Sequence, residues 1–206
     1  MRRIFCATVV SLTIASISSV SFAFGLGDLT GSKEKSGNDS ASVSADSLVK
    51  SYVIGTKQVM SADVNLLNAM GLKEAAAKEE LASKNLTEGA TSSGLEDAAK
   101  VQTESSKALA DAMGAKKVTL TADSKKQYTA GVLDLVKGIK SYIAMSSDVK
   151  NFKPSITSIG ASANAALYIA KSLPDSITNL KNTLKRSIDF AKENKIEVPG
   201  DATSLL

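Results

Sequence analysis

Acid–base chemistry in this chain falls to its carboxylates. Among its 206 residues there is no histidine and one cysteine. The usual triad base and the commonest metal ligand are therefore missing. Paired carboxylates, as in glycosidases, are the remaining route to general acid–base work. Asp63, Asp134 and Asp148 are the acids nearest apolar seams. Asp134 and Asp148 share one helical stretch, about four turns apart. Nothing fixes the distance of either from Asp63. Asp63 and Asp134 are expected at stripe edges or beside caps.

The other chemistries fare no better. A lysine can form a Schiff base when desolvated, but each lysine here sits among polar neighbours. An oxygen-only metal site needs clustered carboxylates. Glu79-Glu80 and Glu96-Asp97 are merely adjacent, and adjacent side chains diverge on a helix. A sugar site wants aromatic platforms, and aromatic residues make up 4%. No catalytic residue, cofactor or metal ligand is assigned, and the chain is expected not to be an enzyme. A carboxylate-dependent envelope hydrolase built on Asp63, Asp134 and Asp148 is the least favoured reading.

The amino terminus reads as an export signal. Arg2 and Arg3 form a basic start, Ile4 to Val20 is apolar but diluted by Ser and Thr, and Ser21-Phe22-Ala23 offers a cut after Ala23. The run falls short of the ~20 apolar residues of a spanning helix. Cleavage would remove Cys6, Arg2 and Arg3. The mature chain would then hold neither disulfide nor thiolate, and the whole-chain charge of +4 less those two arginines leaves +2. Arg186 would be the remaining arginine, where nucleic-acid binders usually carry several for bidentate contacts. A periplasmic or secreted protein with no nucleic-acid partner is expected.

The elements follow from periodicity. Residues 24–42, rich in Gly, Ser, Lys and Asp, read as a flexible tether. Leu48, Tyr52, Val59, Leu66 and Met70, broadened by Val49, Val53 and Leu67, predict a helix near 45–70, capped by Ser44 and stopped by Gly71. A thin-faced helix over 72–86 follows, rich in Ala, Lys and Glu. Ser93-Gly94-Leu95-Glu96 reads as a capping box opening a helix to about Met113. These two are the least hydrophobic elements, either packed loosely outside or forming a hairpin that a partner covers.

Thr121 opens the best-defined helix. Its seam is Tyr128, Val132, Leu135, Ile139 and Tyr142, thickened by Leu133, Val136 and Ile143, and it ends near Asn151. Gly131 and Gly138, seven apart, predict close helix–helix approach rather than a ligand cleft. Pro154 to Ala170 carries no charged side chain and is expected as the central helix of the bundle. Ser172-Leu173-Pro174-Asp175 predicts a corner. A last helix then carries Ile177, Leu180, Leu184, Ile188 and Ala191, with Lys185 and Asp189 paired.

The reading is an all-α single bundle of five or six helices over 43–195. A signal peptide at 1–23 and the tether precede it, and an extended tail at 196–206 follows. Gly131, Leu135, Gly138, Tyr142, Gly160, Ala163 and Leu167 are the expected packing or apolar ligand contacts. The expected role is structural or binding. The partner would be an unknown protein or an apolar or lipid ligand, with contact at a membrane surface open to it. A membrane-active or self-assembling effector is the alternative.

Overall fold

The computed structural model describes residues 43–115, 119–153 and 160–206. The expected leader, the tether and the first residues of the uncharged stretch, 154–159, lie outside the described residues. Within them the chain is all-helical, with no strand. The helices are α1 (Ala45–Ala69), α2 (Lys73–Asn85), α3 (Ser92–Met113), α4 (Ala122–Asn151) and α5 (Ala161–Glu193), followed by one 3-10 turn at Ala202–Leu205.

Local chemistry sets the helix ends. Ser44 Oγ accepts from the Ser47 amide at 3.1 Å, and Thr121 Oγ1 accepts from the Ser124 amide at 3.1 Å. Each satisfies an amide that a first turn leaves without a partner. After α1, the Gly71 amide bonds to the Asn68 carbonyl and the Leu72 amide reaches back to Leu67 at 2.8 Å. Gly71 takes φ +78, the left-handed residue this motif requires. The α3 start differs from the expected capping box. Thr91, two residues earlier, is the cap, accepting from Gly94 at 3.3 Å, while Glu96 stays exposed.

The centre of the molecule is α1, not the uncharged stretch. α1 packs against all four other helices. Leu48, Val49, Val59, Met60, Leu66 and Leu67 are sealed from water. Absence of charge in 160–170 comes from Ser, Asn and Ala rather than from large apolar groups. Only Ala165, Ala166 and Ile169 of that stretch are fully buried, and Leu167 is exposed. Burial follows apolar area, not the lack of charge.

The broadest interface joins α1 and α4 in antiparallel fashion. Small residues set their separation. A Cβ added at Gly131 would stand 2.8 Å from Leu66 Cγ, one at Gly138 would stand 2.6 Å from Val59 Cγ2, and one at Gly55 would stand 2.9 Å from Tyr142 Cε1. Leu66 and Val59 of α1 are thus seated in glycine notches of α4, seven residues apart on both helices. Tyr142 of α4 fills the notch of Gly55. Its hydroxyl lies 2.8 Å from Thr56 Oγ1, and its ring stacks on Tyr52 with centroids 5.3 Å apart. Leu133 and Ile143, expected to thicken the seam, are exposed instead.

The corner expected at Pro174 does not form. α5 runs unbroken through it for 33 residues. Ala165, Ala166, Ile169, Leu173, Leu180, Leu184, Ile188 and Ala191 are buried, with half-buried Ile177 bridging the middle. That stripe keeps helical spacing across the proline, and Pro174 itself is exposed, so its ring meets solvent rather than core. Packing of a continuous face outweighs the lost backbone hydrogen bond. Among the described residues Lys185 and Asp189 form no ion pair.

The tail docks on the bundle. Ile196 and Ala202 are buried. Lys125 donates to the Asn194 carbonyl at 2.7 Å, Thr129 to the Glu197 carbonyl at 2.9 Å, and Lys140 pairs with Asp201 at 2.6 Å. The segment after α5 therefore straps α4. Leu205 packs partly on the core, and Leu206 is exposed.

Candidate functional site

Two carboxyl groups lie where three helices meet. Asp63 of α1 and Glu79 of α2 are both fully buried. On α1, Asp63 continues the stripe of Val59, Met60, Leu66 and Leu67. On α2, Glu79 stands between Ala76 and Ala82. On α3, Ser105 stands between Ala98 and Leu109. Helical periodicity alone therefore delivers all three polar groups to the interior. The Ser105 hydroxyl donates to Glu79 Oε2 at 2.5 Å. Both Asp63 oxygens, Glu79 Oε1 and Gln102 Nε2 are enclosed without a hydrogen-bond partner.

Electrostatics then dictates the protonation state. Burial pushes Glu79 up to about 7, against a weaker opposing effect of the Ser105 hydroxyl. Burial, and next the nearby charge of Glu79, hold Asp63 well above the usual carboxylate range, with the Gln102 side chain opposing weakly. A pair so placed keeps protons that free carboxylates would lose.

Two surface grooves flank this junction. The first, about 580 Å³, lies between α2 and α3. Its walls include Ala82, Leu86, Ala90, Ala98 and Val101, and Leu81 stands at its edge with 60% of its surface in water. The second, about 460 Å³, lies between α3 and α5 and is polar, with Gln102, Thr103, Asn179 and Asn182 beside Lys107 and Arg186.

The expected site residues divide. Gly131, Leu135, Gly138 and Tyr142 are buried, and the two glycines and Tyr142 face α1 as described. Gly160 has open space around it, Ala163 is half-buried and Leu167 is exposed. The two sets are thus not gathered around one apolar space.

The three aspartates are not brought together either. Asp63 is sealed in the interior rather than at a stripe edge. Asp134 pairs with Lys137 at 2.9 Å and accepts from Asn65 Nδ2 at 3.3 Å. Asp148 is half-buried on α4. The partner of Asp63 is Glu79, whose neighbour Glu80 points to water and pairs with Lys84. Sequence reading took Glu79 and Glu80 together and missed that Glu79 occupies an apolar-stripe position. Among the described residues no cluster of three or more acidic or sulfur ligands could hold a metal. No described helix is long and apolar enough to cross a membrane. Comparison with known proteins matches this chain to no family model, no curated relative and no solved structure.

Proposed function

We propose that this chain is an exported helical protein that works by binding, not by catalysis, and that the α2–α3 groove receives the apolar face of a partner protein's amphipathic helix. One observation carries the reading: an open trough between two helices, with apolar walls and Leu81 standing unburied at its edge. Two parallel ridges with a furrow between them accept a third helix by interdigitation. Asp97 on the wall offers a negative charge to the polar side of such a helix, Lys78 being paired with Glu104. Export rests on the Arg2-Arg3 start, the short apolar run and the small residues before Phe24. The absence of histidine and the separation of Asp63, Asp134 and Asp148 support the non-catalytic part.

Thermal melting tests the reading. The mature protein is melted alone, with the lipid fraction of a cell envelope, and with the envelope's protein fraction. A rise in Tm with the protein fraction, lost in Leu81→Asp, is expected, because a ligand of the native state stabilises it by mass action. A rise with lipid alone would replace the partner helix by an apolar small molecule. No shift with either fraction would reject binding at this groove.

A further inference from the structure

Very little holds α2 to the bundle. Among the described residues it touches α1 and α3 alone, and the side chains it buries are Ala76 and Glu79. One of these two is thus a carboxyl group, buried at the same junction as that of Asp63, while Ala75 and Ala82 pack on the core only in part. Ionised, the two repel across a space that water does not enter, and three of their four oxygens accept no hydrogen bond. Neutral, each carries a hydroxyl and fits the apolar stripe around it.

No nearby cation relieves them. From α3 come the Gln102 amide and the Ser105 hydroxyl, both uncharged. Among the described residues, no group on α4 or α5 acts on either acid. The charged groups of this region are spent at the exposed rim. Lys78 of α2 pairs with Glu104 of α3, Lys84 with Glu80, and Lys50 of α1 with Glu88 of the α2–α3 connection. Pivots are present at both ends of α2. Gly71 holds a left-handed turn with open space around it, and Gly89 lies in open space in the connection to α3.

We propose that Asp63 and Glu79 form a proton-held latch, which fastens α2 to α1 while both carboxyls are neutral and frees α2 when they ionise. The latch stands independently of the binding role proposed above. The sign follows from the direction of the shifts. The closed form binds protons more tightly than the open form, so closure is favoured in acid and weakens as pH rises. For Glu79 the change runs from its ordinary 4.5 up to about 7 and is complete above that. Release leaves α3 seated on α5 and the α1–α4 interface intact.

Amide hydrogen exchange of the full mature chain, corrected for intrinsic rates, reads the latch. The opening constant of α2 should rise between about tenfold and about a hundredfold per pH unit between about 4.5 and 7, as Glu79 and with it Asp63 each release a proton. Protection in α1 and α4 should change far less. In Glu79→Gln the slope should fall by the Glu79 proton, leaving at most the tenfold per pH unit of Asp63. A carboxyl carbon-13 titration of the unaltered protein gives a second readout that needs no variant, with Glu79 expected to titrate near 7. Constant α2 protection from about pH 5 to about pH 8, or a Glu79 midpoint near its ordinary value, would overturn the proposal. So would restoration of α2 protection at alkaline pH by calcium or magnesium chloride, since the pair would then hold a cation in place of protons.

Discussion

A carboxylic acid sealed from water, with a single hydroxyl as its donor, behaves as a small polar amide with a removable proton. That equivalence predicts the effect of Glu79→Gln. Below about pH 4.5 the acid and the amide should be equally stable; at pH 8 the variant should be more stable by about 1–3 kcal/mol, measured as the difference between two denaturant curves. The notches are as exacting in the opposite direction. Gly138→Ala would press a methyl on Val59, a stiff β-branched side chain with its own backbone 3.3 Å away. Gly131→Ala presses on Cγ and Cδ2 of Leu66, a more flexible side chain, with the Leu66 backbone nitrogen 3.1 Å away. Both should destabilise by about 1–3 kcal/mol, Gly138→Ala the more, with Val59→Ala restoring part of the loss in the double variant. The glycine pair could be found by spacing, because small residues seven apart on a seam mean close approach whatever the partner. The identity of that partner could not. Nothing local distinguishes a helix at 45–69 from one at 161–193 as the occupant of a notch on α4.

Helix starts and stops were largely legible, because caps are local chemistry: Ser44, Gly71, Thr121 and Gly114 all act within a few residues of themselves. Pro174 shows where that locality ends. Its neighbours spell a corner, yet the face from Ala165 to Ala191 is continuous, and burying that face decides the outcome. A proline retained inside a helix remains a local cost. Pro174→Ala should therefore raise the stability of the protein, by up to about 3 kcal/mol, with helicity by circular dichroism unchanged or slightly increased. A loss of stability on that substitution would mean that the proline's geometry is itself required for α5 to reach both α1 and α3. For α2 the element and its sparse apolar face were readable, but its polar contact was not. Glu79 and Asp63 are sixteen residues apart on different helices, and only the turn at Gly71 brings their stripes together.

At the largest scale, the described residues form a bundle wrapped around one helix and strapped at one side. The strap over α4 ties Asn194, Glu197 and Asp201 to Lys125, Thr129 and Lys140. Its ion pair is exposed and contributes little, so the buried Ile196 is the anchor. Ile196→Ala should cost about 2–3 kcal/mol, whereas Asp201→Asn should leave the denaturant midpoint almost unchanged. The described residues contain no cysteine, so no disulfide among them contributes to stability.

The long reach between α1 and α4 shapes how the chain is made. Asn65 waits for Asp134, 69 residues downstream, and Thr56 waits for Tyr142, 86 residues downstream. While a ribosome supplies that interval, the most oily helix of the protein has only the thin-faced α2 and α3 to lean on. A newborn chain of this design therefore passes through a sticky, uncommitted interval, which a holdase could occupy before the late-arriving partner closes over it.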